Sequence, residues 1–271
     1  MPELPEVERA ARRIRRAVVG QTIERVVLIH PALKRRIGPR VLLSLRRHRV
    51  VAVDQRAKHQ LLVLDDGRAL HVHFRMTGDW AVDRVDDDLP RSARAAIDFV
   101  GGKRLLLIDP RALSAVALFA KGQSPFDRLG PDPSSPEFDD AFAAALARRS
   151  GPVKPALLDQ RVAAGVGNIY AAEALWEARI DPAAPANSLS PIKVNELADA
   201  IRVVLDRGRF SGKRYREGAS SLRVYDREDE PCPRCGTPIT RIVQAGRSTC
   251  YCPHCQAPAK AKVRRAITAK R

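Results

Sequence analysis

The chain begins Met1-Pro2-Glu3-Leu4-Pro5-Glu6. Once Met1 is cut off, Pro2 presents a secondary amine. A typical α-amino group has a pKa of roughly 7.7–8.0, against about 10.4 for lysine, so a usable fraction is neutral near pH 7. A neutral amine attacks an aldehyde-level carbon and leaves an iminium ion, which is an electron sink. Glu3, the next residue, can give or take protons. The plainer reading is that Pro2-Glu3 leads into a helix, and these residues alone do not decide between the two. The other chemical cluster is Cys232-Pro-Arg-Cys235, then sixteen residues, then Cys252-Pro-His-Cys255. Paired C-x2-C knuckles at this separation predict one zinc ion on a small hairpin. Four thiolates close its tetrahedron, so the metal is structural. Cys250 breaks the spacing and reads as a packed or free thiol. His254 lies inside a knuckle whose cysteines already fill the ligand set. Such a ribbon is a common staple and names no function.

The elements that position these residues follow from periodicity. Val7, Ala10, Ala11, Ile14 and Val18 recur at helical spacing and predict a helix over 5–18, with Pro5 and Glu6 suited to its first turn. Arg9, Arg12, Arg13 and Arg16 fall on the other face, as a solvated face or a DNA contact. Strands are expected at 22–29, 49–55, 59–65, 68–76, 94–100, 103–109 and 113–119, with hairpin turns at Asp66-Gly67 and Gly101-Gly102. Many short strands imply an antiparallel sandwich or barrel. Residues 121–136 hold four prolines and mark a boundary, after which helices are expected at 137–149, 153–160, 168–179 and 191–206. The expected organisation is a β domain at 1–120, a linker at 121–136, a helical domain at 137–223, a zinc hairpin at 224–258 and a basic tail at 259–271.

The formal charge is +17 over 271 residues, which favours a polyanionic partner, nucleic acid before an anionic membrane or ribosomal site. Apolar residues form 45% of the chain, enough for a core, and aromatics only 5%, which argues against a single-strand stacking platform. No apolar run is long enough to span a membrane and no secretory pattern opens the chain, so a cytosolic protein is expected.

Three stretches carry a resemblance: MPELPEVE at the start, VKPALLDQRVAAGVGNIYAAEALWEARIDP at 153–182 and EPCPRCGTPITRIVQAGRSTCYCPHCQ at 230–256. In this order they resemble the formamidopyrimidine-DNA glycosylase and endonuclease VIII family, and the Pro-Glu-Leu-Pro opening resembles the first branch more. The resemblance implies an α+β protein. An N-terminal antiparallel β-sandwich with a leading helix precedes a helix–two-turn–helix domain and a four-cysteine zinc hairpin. It implies a monomeric, bacterial-type cytoplasmic enzyme on double-stranded damaged DNA, one that removes oxidised bases, purines favoured, and then nicks the strand by β,δ-elimination. In that pattern Pro2 matches the nucleophile on C1′, Glu3 the general acid/base, Glu6 a supporting acid and Lys58 a phosphate grip. Met76 and Arg111 match residues that fill the gap left by an extruded base; Met76 also reads as a core residue continuing its strand. Lys154 and Asn168 match phosphate-binding positions, and Arg247 matches the arginine that the zinc hairpin lays on the backbone. Gly165 and Gly167 would let backbone approach a phosphate. Two departures stand out. Leu113 occupies a wedge position where the family usually has phenylalanine, and 206–224 reads as shorter and more basic than usual. Alternatives are an endonuclease VIII-like preference for oxidised pyrimidines, a damaged-DNA-binding protein without turnover, or a zinc-ribbon nucleic-acid module.

Overall fold

The computed structural model describes residues 2–210 and 222–258. The basic tail and most of the shortened segment lie outside these residues. Helix α1 (Leu4–Val18) buries Val7, Ala10, Ala11, Ile14 and Val18, the stripe read from the sequence. It lies against a sandwich of two four-stranded sheets, every adjacent pair antiparallel. One sheet has the order β1 (Ile23–Leu28), β6 (Ala93–Phe99), β7 (Lys103–Ile108), β5 (Asp79–Arg84); the other has β2 (Val50–Arg56), β3 (His59–Leu64), β4 (Ala69–His73), β8 (Ala115–Phe119). Val53, Leu62, Phe74, Ile97, Phe99, Leu105 and Val116 fill the core between them. Each such side chain contributes about 1.5–3 kcal/mol by leaving water.

Three local features depart from the sequence reading. Strand β5 was not expected, because only Trp80 in Asp79–Arg84 is buried and the rest is polar or partly exposed. Two short helices, α2 (Pro31–Lys34) and α3 (Pro39–Leu43), each open on a proline in a stretch to which the sequence reading assigned no element. Strand β4 stops at His73, so Met76 does not continue its apolar face: it sits half-exposed in a turn after Arg75, whose φ is 56°.

The proline-rich crossing is pinned rather than loose. Arg56 donates to the carbonyls of Phe126 (3.4 Å) and Gly130 (3.1 Å). A Cβ on Gly130 would lie 2.2 Å from the Arg161 carbonyl oxygen, so only glycine fits. Beyond it come α4 (Phe138–Ala147), α5 (Val153–Leu158), α6 (Asn168–Glu177) and α7 (Pro191–Phe210), the last running past its expected end. Their core is built from Phe138, Phe142, Leu157, Ile169, Leu175, Leu197 and Ile201, and it also takes in Leu4 from α1. A two-stranded hairpin, β9 (Thr240–Gln244) and β10 (Arg247–Tyr251), follows among the described residues. Its turn residues Ala245 and Gly246 both have positive φ, 47° and 71°, which matches the right-handed strand twist. Among the described residues no helix is long and apolar enough to cross a membrane.

Candidate active site and nucleic-acid interface

Glu3, Leu4 and Glu6 are held by the helical domain. Pro2 is half-buried. Glu3 is fully buried, and its carboxylate accepts N–H bonds from Ile169 (3.0 Å) and Tyr170 (3.3 Å) in the first turn of α6. A helix N-terminus carries free N–H groups and partial positive charge, so a carboxylate is well placed there. The Leu4 N–H reaches the Gly165 carbonyl. The Gly-Val-Gly-Asn loop is shaped for this docking. Gly165 has φ +90° and a Cβ on it would lie 3.0 Å from the Leu4 side chain, while a Cβ on Gly167 would lie 2.3 Å from the Glu3 carboxyl carbon. These glycines give room to Glu3 and Leu4, where the sequence reading had given it to a phosphate.

Glu6 closes the start of α1. Its Oε2 accepts from the Glu3 N–H (3.0 Å) and its Oε1 from the Tyr170 hydroxyl (3.0 Å). Burial raises the Glu6 pKa, and the adjacent Glu3 adds to this against the hydrogen bonds. Tyr170 reaches Glu6 through a notch in α7: a Cβ on Gly208 would overlap its hydroxyl at 2.2 Å.

Lys58 arrives from the sandwich on the tight β2–β3 turn, where Ala57 adopts φ 53°. Its ammonium is buried and donates to the Val166 carbonyl (2.9 Å), so the two domains meet across it. Burial pushes its pKa down; Glu3 and Glu6 oppose that and Arg247 adds to it. Arg247 is exposed at the start of β10. Lys154 is entirely buried and its three donors are taken inside the protein, by Asn168 Oδ1 (2.6 Å), the Ser248 carbonyl (2.8 Å) and Thr249 Oγ1 (2.7 Å). Burial lowers its pKa to about 8. Asn168 Nδ2 also donates to the Ser248 carbonyl (3.0 Å). Lys154 therefore fixes which way the Asn168 amide faces and ties it to the zinc hairpin. Glu3, Glu6, Lys58, Lys154, Asn168 and Arg247 thus gather where α1, the β2–β3 turn, α6 and the hairpin meet.

Met76, Arg111 and Leu113 occupy two neighbouring turns instead. Asp109, a residue the sequence reading passed over, joins them. Its buried carboxylate accepts from the Thr77 hydroxyl, the N–H groups of Arg111 (3.2 Å), Leu113 (2.7 Å) and Ser114 (2.7 Å), and Ser114 Oγ (2.8 Å). Burial alone would raise the Asp109 pKa, but these bonds outweigh it and hold the value low. Ala112, at φ 52°, completes the turn that leaves Arg111 and Leu113 exposed. An Asp beginning a turn and collecting N–H groups from the residues after it was the available signal. Beside these turns, His59 and His71 stack with Nδ1 and Nε2 2.9 Å apart, and His73 meets His59 edge-on. Burial, reinforced by Arg75, lowers their pKa values to about 4, 4 and 3.

The four knuckle cysteines converge, with every Sγ within 4.8 Å of the others and the Cys232–Cys255 and Cys235–Cys252 pairs at 4.0 and 3.5 Å. Zn–S bonds of about 2.3 Å in a tetrahedron require sulfurs about 3.8 Å apart, so this donor set fits one zinc ion. Trp176 Nε1 (3.4 Å) and the Cys255 N–H (3.4 Å) donate to the sulfurs of Cys232 and Cys252, as thiolates require. Cys250 is buried and lies outside the set. Trp176 is near the C-terminal end of α6 while Ile169 and Tyr170 hold Glu3 at the other. A helix of ten residues is about 15 Å long, so the metal braces the interface from a distance and takes no part in its chemistry. Glu173, also missed, secures the same module by accepting the N–H groups of Arg223, Val224 and Tyr225 (2.8–2.9 Å).

Comparison with known proteins matches residues 1–116 to the formamidopyrimidine-DNA glycosylase N-terminal domain, 129–215 to the H2TH domain of that glycosylase and 229–258 to the zinc finger found in FPG and IleRS. The chain belongs to the formamidopyrimidine-DNA glycosylase family. Among relatives in the family, the formamidopyrimidine-DNA glycosylase of Chloroflexus aurantiacus is 40% identical over 94% of this chain and 98% of its own. That of Thermus thermophilus is 39% identical over 94% and 98%. The crystal structure of the Lactococcus lactis glycosylase, non-covalently bound to DNA containing an AP site, superposes with TM-score 0.88 at 29% identity, covering 95% of this chain and all of that one. The Thermus thermophilus structure gives TM-score 0.83 at 38% identity, over 95% and 100%. Another Lactococcus lactis structure holds Fapy-dG DNA. Leu113, where the sequence reading expects a wedge residue, is exposed, and its N–H is held by Asp109.

Proposed function

We propose that this protein is a bifunctional DNA glycosylase and AP lyase of base excision repair, acting as a monomer on nucleoid DNA in the cytoplasm. Oxidised purines such as 8-oxoguanine and formamidopyrimidines are its favoured lesions. The Pro2 nitrogen forms a bond to C1′ of the damaged nucleotide as the base departs with the electrons of the glycosidic bond and takes a proton from solvent, and the amine proton passes to the Glu3 carboxylate. Glu3 passes a proton to the ring oxygen, the sugar opens, and an iminium ion joins Pro2 to C1′. The iminium acidifies the C2′ proton. Its removal expels the 3′ phosphate by β-elimination, and δ-elimination then expels the 5′ phosphate. Lys58, Asn168 and Arg247 receive the flanking phosphates, with Lys154 acting through Asn168. Cations arranged where charge develops lower the barrier in a site closed to water. Met76, Arg111 and Leu113 fill the stack left by the extruded base. The zinc holds the hairpin that presents Arg247.

The single observation that carries the reading is the immobilised Glu3. Glu3 caps α1 in a box with Glu6, and its carboxylate, directly after Pro2, is gripped as well by two N–H groups of another domain, which capping α1 does not require. The test incubates protein of verified Met1-free mass with abasic and 8-oxoguanine duplexes under borohydride. A covalent adduct is expected, and Pro2→Gly or Glu3→Gln should reduce it sharply. No adduct from the intact protein, with tight duplex binding retained, would leave a damaged-DNA clamp. A parallel panel with oxidised pyrimidines decides the lesion class.

A further inference from the structure

Among the groups that the proposed chemistry does not use, one ion-pair node joins the catalytic helix to the helical domain. Arg209, in the last turn of α7, grips Glu8 of α1 with both oxygens, Nε to Oε2 at 2.7 Å and Nη2 to Oε1 at 2.9 Å. It also donates to Asp206 (2.6 Å) and to Ser134 Oγ (3.1 Å) in the crossing segment. Both side chains of the pair are largely shielded, at 24% and 20% exposure, so the pair is less screened than surface pairs are. A planar guanidinium held at both carboxylate oxygens fixes direction as well as distance.

Among the described residues, the hydrogen bonds of Glu3 to Ile169 and Tyr170, Leu4 to Gly165 and Glu6 to Tyr170 hold α1 to the helical domain near its tip. Along the rest of its length α1 is packed on the sandwich, with Arg13 on Asp79 and Arg15 on the Val53 carbonyl, so contacts grouped at its tip leave α1 and the sandwich together room to pivot against the helical domain. Glu8 lies five residues beyond Glu3, about 7 Å further along the axis. Its clasp is the second point that a rigid orientation needs. We propose that Arg209 is a positioning residue for the Pro2 amine, setting through Glu8 how α1 is oriented against the helical domain so that the nitrogen meets C1′ in line. This role rests on the reading of Pro2 as nucleophile and adds to it a dependence on a residue remote from the reacting atoms. Arg209 touches no substrate in this role.

The test compares wild type with Arg209→Ala, Arg209→Lys, Glu8→Gln and the double variant Glu8→Gln/Arg209→Ala. Three quantities are read: the single-turnover rate of borohydride trapping at saturating protein, the Kd for a duplex with an uncleavable abasic analogue, and the thermal midpoint. Arg209→Ala should slow trapping about tenfold, a fraction of what a 1 Å misplacement of a reacting group costs, with Kd within about twofold. Arg209→Lys keeps the charge without the fork and should recover part of the rate. The double variant should be no slower than the slower single one, because both break the same contact. Trapping by Arg209→Ala within about twofold of wild type would overturn the proposal. So would a loss of rate that follows Kd or the folded fraction, or single-variant losses that add. A wild type that forms no adduct would overturn the Pro2 reading and this role with it, whereas the other outcomes would remove this role alone.

Discussion

Gly167→Ala places one methyl group against the centre of the site. The backbone tolerates it, since Gly167 has φ −130°. The side chain does not: its Cβ would lie 2.3 Å from Glu3 Cδ, 2.4 Å from Oε1 and 2.7 Å from Oε2. Restoring an ordinary contact of about 3.4 Å requires the carboxylate to retreat by about 1.1 Å. That stretches the bond from Ile169 N, now 3.0 Å, and the bond from Tyr170 N, now 3.3 Å, out of range. Hydrogen bonds to a charged group contribute about 1.5–3 kcal/mol each, and relaxation recovers part, so a loss of about 2–4 kcal/mol in stability is expected. A misplacement of about 1 Å costs about a hundredfold in rate, so single-turnover trapping of an abasic duplex should slow by that factor. Gly151→Ala is the control, because a Cβ there meets nothing within 4 Å. If folded Gly167→Ala trapped within about threefold of wild type, the docking of Glu3 on α6 would not be what orders the site.

Three further outcomes follow from the same contacts. Removing zinc with a chelator should free the hairpin from Lys154 and Asn168, weaken duplex binding and change Trp176 fluorescence, with the sandwich still folded; unchanged binding by metal-free protein would contradict the bracing role. Asp109→Asn replaces an acceptor oxygen by a donor amide facing N–H groups, and should cost about 2–3 kcal/mol in stability and slow excision from a paired duplex more than cleavage of a preformed abasic site. The sign for Asp109 is that of a depressed carboxyl: its contribution is present above the unfolded pKa of about 3.9 and is lost as pH falls through the lower folded value, so the asparagine variant should flatten the acid limb of a denaturation series. His59, His71 and His73 have folded pKa values of about 4, 4 and 3, so the unfolded chain binds protons first; denaturant midpoints should drop as pH falls from about 6.5 toward 4, and His71→Phe should shallow that slope.

What was legible in the sequence was periodic or closely spaced. The α1 stripe, the Asp66-Gly67 and Gly101-Gly102 hairpins and the four cysteines each state their structure within a few residues. Strand β5 escaped because its edge position in the sheet leaves Val82 exposed and only Trp80 buried, which weakens the alternation that identifies a strand. Met76 was read into a strand because the alternation of Leu70, Val72 and Phe74 runs on toward it; the left-handed Arg75 breaks the strand, and no local signal marks an arginine for φ 56°. The purpose of Gly165 and Gly167 was out of reach because their partners, Leu4 and Glu3, lie more than 160 residues away in the chain. Glu173 shares that difficulty, with its N–H partners some 50 residues on. Arg209 read as one more cation of a basic stretch; only the fold reveals Glu8 opposite it.

The central claim is that the secondary-amine nitrogen of Pro2 bonds to the sugar. Digestion of the borohydride-reduced adduct, followed by peptide mass spectrometry, locates that bond. The account predicts a deoxyribose remnant on the peptide that begins at Pro2, attached to the prolyl nitrogen. A remnant on Lys58, on Lys154 or on any other lysine, with Pro2 unmodified, would contradict it.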